Sequence, residues 1–200
     1  MSVAINTTDL KPAFAQPIFD SQASFRRILD ALAYAGRTET LDRLSDVPAP
    51  LNTATTAAIL TLLDFETPVW LDVEHDSAAA NYIRFHASAP LSKAKDEARF
   101  AIVTRPSEMP SLAAFFAGED KYPETSCTLI IQVPSLTEGP ATRWTGPGID
   151  GETTVHIAGL PELFWREWDD NHGLYPMGVD VIFSAGSEII GLPRGVKVEE

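Results

Sequence analysis

The chain has 200 residues, with 15 Lys and Arg against 28 Asp and Glu for a formal charge of −13, and a single Cys. This length fits one domain, residues 1–200, with its own hydrophobic core, and a lone Cys excludes an internal disulfide or a thiolate metal cluster. The acidic balance argues against a nucleic-acid or membrane partner, because phosphate backbones and anionic lipid surfaces are bound by Lys and Arg.

The first stretch, MSVAINTTDLKPAF, has no basic residue before Lys11 and no apolar run of leader length. The longest apolar stretch, around Ala57 to Leu63, is too short to span a bilayer, so a cytoplasmic location is expected. The first periodic segment runs from about Ser21 to Tyr34. There Phe25, Ile28, Leu29 and Leu32 recur at helical spacing and predict a buried face. Asp20 or Ser21 suits the start of this helix, and Gly36 suits a left-handed residue after its end. Arg37 to Leu41 reads as a short edge strand.

A second helix is expected from Asn52 or Thr53 to Asp64, apolar almost all round and therefore buried. Thr67–Leu71 then reads as a strand, Ser77–Phe85 as a helix and Phe100–Val103 as a strand. Pro110 opens an expected helix with Leu112, Phe115 and Phe116 as its buried face and Gly118 as its stop. Thr128–Val133 is the strongest strand. Ala141–Thr145 and Thr153–Ile157 look paired around Gly146-Pro147-Gly148. Pro161 opens a helix on which Leu160, Phe164 and Trp168 stack, and Gly173 ends it. Val179–Phe183 and Glu188–Leu192 form an expected hairpin around Ala185-Gly186. Alternating helices and apolar strands predict an α/β sandwich with helices on both faces of a mixed sheet.

The chemical residues are sparse. Cys127 precedes an apolar run and has no base beside it, so it reads as a buried hydrophobe. Glu74-His75-Asp76 and Asp169-Asp170-Asn171-His172 are consecutive, and adjacent side chains diverge, so no metal site is assigned. Gly146-Pro147-Gly148 lacks phosphate-loop spacing, and its Pro removes a donor. Lys11, Lys93, Lys95, Lys121 and Lys197 all lie in polar or terminal segments, which argues against a Schiff-base cofactor. Arg84 and His86 near a helix end, together with Arg26, Arg27 and Arg194, have the chemistry of an anion site. The plainer reading pairs them with the abundant acids. Asp180 sits inside an apolar strand, where a charge is costly unless paired. Arg84, His86, Asp180 and Arg194 are therefore the candidate anion-binding or interface residues. No catalytic residue, cofactor or metal is assigned.

An ordered set of segments carries a family resemblance. It comprises Phe25–Leu32, Leu51–Thr56 with Leu60–Asp64, Thr67–Leu71, Ile83-Arg84-Phe85-His86 with Ala89-Pro90-Leu91, Thr128–Val133, Thr145–Ile149, Tyr175–Asp180 and Leu192-Pro193-Arg194. Together these resemble PhnH, the H subunit of the bacterial carbon–phosphorus lyase system, over residues 14–196. Ala35 before Gly36, where the family pattern has Pro, and Gly195-Val196 after Arg194 depart from it locally.

The resemblance implies a three-layer α/β/α sandwich with a mixed sheet, like the fold of pyridoxal-phosphate transferases but without their cofactor. It also implies an accessory or non-catalytic subunit of the phosphonate-degrading system. Such a subunit would be homodimeric when isolated and would work with the other carbon–phosphorus lyase subunits. Another subunit, an iron–sulfur radical protein, breaks the carbon–phosphorus bond there, and a chain with one Cys cannot hold such a cluster. The alternative is a stand-alone binding protein or enzyme for a phosphonate, nucleotide or phosphorylated metabolite.

Overall fold

The computed structural model describes residues 10–200; the stretch through Asp9, most of the expected leaderless start, lies outside the described residues. In chain order the elements are α1 (Pro17–Ala33), β1 (Thr38–Thr40), α2 (Thr53–Leu62), β2 (Val69–Leu71), α3 (Ala78–His86), β3 (Phe100–Val103), β4 (Thr128–Gln132), β5 (Ala141–Thr145), β6 (Thr153–His156), α4 (Phe164–His172), β7 (Asp180–Ala185), β8 (Glu188–Leu192) and β9 (Lys197–Glu199).

Six strands form one mixed sheet in the order β1-β8-β7-β4-β3-β2. Strands β2, β3, β4 and β7 run parallel, whereas β8 returns antiparallel to β7 through the expected hairpin and β1 pairs antiparallel with β8. Near-continuous apolar runs such as Leu129-Ile130-Ile131 fit strands covered on both faces. Alternation along them divides the core. Ile102, Ile130, Ile182 and Ile189 pack with α1, α2 and α3. Val103, Leu129, Ile131, Val181, Phe183 and Leu192 pack with α4, Trp144 and Trp168. Helices α1, α2 and α3 thus cover one face. The other face takes α4 together with a separate three-stranded antiparallel sheet, β6-β5-β9.

Helix α1 begins at Pro17, earlier than the periodicity predicts, and Asp20 lies inside its first turn, where its carboxylate accepts from the Gln16 N–H. Its inward face also differs from expectation. Ser24, Ile28 and Ala31 are buried, whereas Phe25 and Leu29 are exposed. The cause is close approach to β8: a Cβ on Gly191 would lie 2.5 Å from the Ala31 carbonyl. Only a slender helix face fits against a strand at that distance.

The helix expected after Pro110 is only a 3-10 turn at Leu112–Ala114. There the Glu167 carboxylate accepts the Leu112 N–H, and the Phe116 carbonyl accepts from the Cys127 N–H, so the segment is anchored at both ends to neighbouring elements. Leu112 and Phe115 are buried as expected, but Phe116 is only half-buried. Helix α4 starts at Phe164, leaving Leu160 and Pro161 ahead of it. Helix α2 starts where expected, at Thr53, and Asn52 caps it by accepting from the Thr55 N–H. Among the described residues no helix is long and apolar enough to cross a membrane.

Candidate functional site

The structure divides the sequence-predicted residues among three places. Asp180 opens β7 and Arg194 follows β8, its antiparallel neighbour, so the hairpin sets them side by side. Arg194 Nε donates to Asp180 Oδ1 at 3.0 Å, Nη2 donates to Oδ2, and the Arg194 backbone N–H donates to Oδ1 at 2.8 Å. The remaining guanidinium nitrogen, Nη1, donates to the Pro123 carbonyl at 2.8 Å. All three guanidinium nitrogens are engaged, and both side chains are largely covered, at 14% and 21% exposure. The strand carboxylate is thereby neutralised in place. His172, in the last turn of α4, donates from Nδ1 to the Arg194 carbonyl and joins this clamp.

Arg84 and His86 lie in the last turn of α3 and are half-buried. Arg84 Nη1 donates to the His75 carbonyl and lies 3.4 Å from Asn81 Oδ1. His86 Nε2 donates to the Lys11 carbonyl at 3.0 Å, and its ring meets Tyr82 at 4.4 Å. These contacts tie the helix end to flanking chain, and none of them reaches Asp180 or Arg194.

The third place is a groove of about 620 Å³ between α1 and the edge strand β1. Arg26 and Arg27 project from α1, and Thr38, Glu39, Thr40, Asp42 and Arg43 border the groove from the strand side. Glu39 is 5% exposed, with its carboxylate 3.0 Å from Arg27 Nη1 and 3.2 Å from Arg37 Nε. Ser24 also borders the groove, and its buried hydroxyl has no hydrogen-bond partner among the described residues.

Sequence reasoning named Arg26 and Arg27 but missed Arg37, Glu39 and Arg43. The polar alternation Arg37-Thr38-Glu39-Thr40 on an expected edge strand was the available signal. It also missed a buried polar knot at the start of α2. There Asn52 N–H donates to Gln132 Oε1 at 2.6 Å, Asn52 Nδ2 lies 3.2 Å from Ser184 Oγ, and Thr55 and Ser184 hydroxyls lie 2.7 Å apart. Those side chains satisfy one another and pin the helix to the sheet.

One other expectation is met: Cys127 is fully buried, and burial pushes its thiol up to about 12. The Gly146-Pro147-Gly148 turn presses on the end of α1: Gly148 has φ +83, and a side chain there would run into the Ala33 carbonyl.

A family model described as "Bacterial phosphonate metabolism protein (PhnH)" matches residues 12–199, and the chain belongs to that family. It is similar to the alpha-D-ribose 1-methylphosphonate 5-triphosphate synthase subunit PhnH of Rhizobium meliloti (strain 1021), at 37% identity over 188 residues, 94% of each chain. It is also similar to the putative C-P lyase subunit protein HtxG of Stutzerimonas stutzeri, at 35% identity over 77 residues, 38% of this chain and 40% of that one.

Proposed function

We propose that this chain is an accessory, non-catalytic subunit of a carbon–phosphorus lyase system and supports the breakdown of organic phosphonates. The observation that carries the reading is the end-to-end match to a PhnH subunit, at 94% of both chains. The other subunits of that system are its partners in this reading, it is homodimeric when isolated, and it works in the cytoplasm. A three-layer sandwich like that of pyridoxal-phosphate transferases, without the cofactor, is the fold that goes with it. The division of the core between α1–α3 and α4 with the second sheet supports that arrangement.

Affinity purification from a phosphonate-using host tests the function. The tagged chain is expected to bring down the other subunits, and a deletion strain is expected to lose growth on alkylphosphonate as sole phosphorus source. A chain that elutes alone, from a host whose deletion strain still grows, overturns the reading.

The second reading, a stand-alone binder of a phosphonate or nucleotide through Arg84, His86, Asp180 and Arg194, is tested by calorimetric titration of the isolated protein with ATP and methylphosphonate. In the accessory reading Arg84→Ala leaves those titrations unchanged, because Arg84 holds the His75 carbonyl.

A further inference from the structure

We infer that the groove between α1 and β1 is a binding site for a small polyanion of the phosphoryl or phosphonyl class. The first ground is the distribution of basic groups. The chain carries 15 basic residues in all and a formal charge of −13, yet Arg26, Arg27 and Arg43 line this one groove and Arg37 stands beside it, against the carboxylates of Asp30, Glu39 and Asp42 on the same lining, so the chain's acid excess is locally cancelled here. A field of that overall sign repels anions at a distance, so an anion site here must be a local concentration of cations.

The second ground is how those cations are partnered. Arg27 and Arg37 are held by the buried Glu39 carboxylate, which fixes the Arg27 guanidinium along the groove. Arg26 has no ion pair among the described residues, and Arg43 reaches only Asp42, at 4.0 Å. Two guanidinium forks, one from the helix and one from the strand side, are therefore open to a ligand. Guanidinium forks match tetrahedral oxyanions through paired N–H donors. The clamp at Asp180 shows the opposite case, in which every guanidinium nitrogen already has a partner.

The third ground is the supply of neutral donors. The Leu41 N–H donates to the Ser187 carbonyl, so antiparallel alternation turns the Glu39 peptide groups toward β8 and leaves those of Thr38 and Thr40 on the open edge of the sheet. Both threonines border the groove, as does Ser24 with its buried, unpartnered hydroxyl. A buried hydroxyl without a partner is uncommon, and an anion oxygen supplies the acceptor. The volume, about 620 Å³, suits a ligand larger than inorganic phosphate. The donor set accounts for an oxyanion; preferring phosphorus oxyanions over carboxylates rests on the phosphonate reading above.

The test is calorimetric titration of the full chain with tripolyphosphate, methylphosphonate and citrate at fixed ionic strength, using wild type, the double variant Arg26→Gln/Arg43→Gln, and Arg166→Gln on α4 as a control outside the groove. Tripolyphosphate is expected to bind wild type and the control alike and to weaken at least tenfold in the double variant. Citrate is expected to bind more weakly than tripolyphosphate. Absence of binding to wild type, equal binding by the double variant, or tighter citrate binding overturns the proposal. Because both arginines are exposed, the double variant keeps the native fold, checked by its unfolding midpoint. Co-purification of the double variant with the other subunits is read separately, so loss of the groove site and loss of the subunit role give different results.

Discussion

The end of the β7–β8 hairpin and the groove between α1 and β1 both gather arginine beside acid, and they do opposite things with it. At the hairpin, one carboxylate meets one guanidinium edge to edge, backbone groups take the remaining bonds, and the pair is largely covered. At the groove, one buried carboxylate is shared by two arginines while Arg26 and Arg43 stand clear of it on an open surface. The residue types are the same. What separates an architectural pair from the proposed ligand site is whether the forks already have partners and whether water can reach them.

The largest effect expected to test this contrast is at the hairpin. Arg194→Ala leaves Asp180 without its counter-ion in a mostly covered position and should cost about 2–3 kcal/mol in urea unfolding. A double-mutant cycle with Asp180→Ala should return a coupling of about 1–3 kcal/mol. Coupling near zero would remove the architectural role. Next is Glu39→Gln, which takes the shared charge from Arg27 and Arg37. Because those arginines are more than half exposed, the loss should be smaller, about 1–2 kcal/mol, and anion binding in the groove should rise rather than fall.

The covered side of the molecule should also show itself in pH dependence. The Cys127 thiol, beside the clamp through its carbonyl bond to the Asp180 N–H, is pushed up to about 12 by burial. The unfolded chain ionises this thiol above its ordinary value near 9, whereas the folded chain keeps it neutral. Stability is therefore intact below pH 9 and falls by ~1.4 kcal/mol per unit as pH rises toward 12. Tyr82, raised by burial from an ordinary 10 to about 12, adds a fall of the same sign above pH 10. Unfolding midpoints at pH 8, 9 and 10, compared with Cys127→Ala, isolate the thiol; a midpoint difference that does not change with pH would contradict its burial. The smallest effect is at Arg26, where Arg26→Ala should change stability by less than about 0.5 kcal/mol, since the side chain is exposed and has no ion pair among the described residues. A larger loss would make the groove architectural like the hairpin.

Much of the fold is legible in the chain. Asn52 and Ser77 cap helices α2 and α3, Gly36 takes a left-handed turn after α1, and the apolar runs at Phe100 and Thr128 become parallel neighbours. The misreadings share a cause: each depended on a partner distant in sequence. The expected inward face of α1 holds at Ile28 and Leu32 but not at the large Phe25 and Leu29, because Gly191 on β8 brings the strand so near that the small Ser24 and Ala31 must face it. The segment after Pro110 forms only a 3-10 turn, held at its ends by Glu167 and Cys127, which spacing along the chain does not bring to it. Strand β9 escaped notice because a three-residue strand has no period of its own and exists only through its pairing with β5.

The candidate site was legible in its chemistry and not in its geography. The sequence by itself determined that the chain is acidic, that a charge at Asp180 inside an apolar strand requires a counter-charge, and that arginines are few enough for any cluster of them to matter. Those properties belong to residue type and local spacing. Only the tertiary structure decided that Arg194 satisfies Asp180, that Arg84 and His86 hold backbone carbonyls, and that Arg26 and Arg43 meet across a groove. The reason is that pairing of charges is set by sheet register and helix rotation, and both are fixed by contacts between segments that spacing along the chain does not encode.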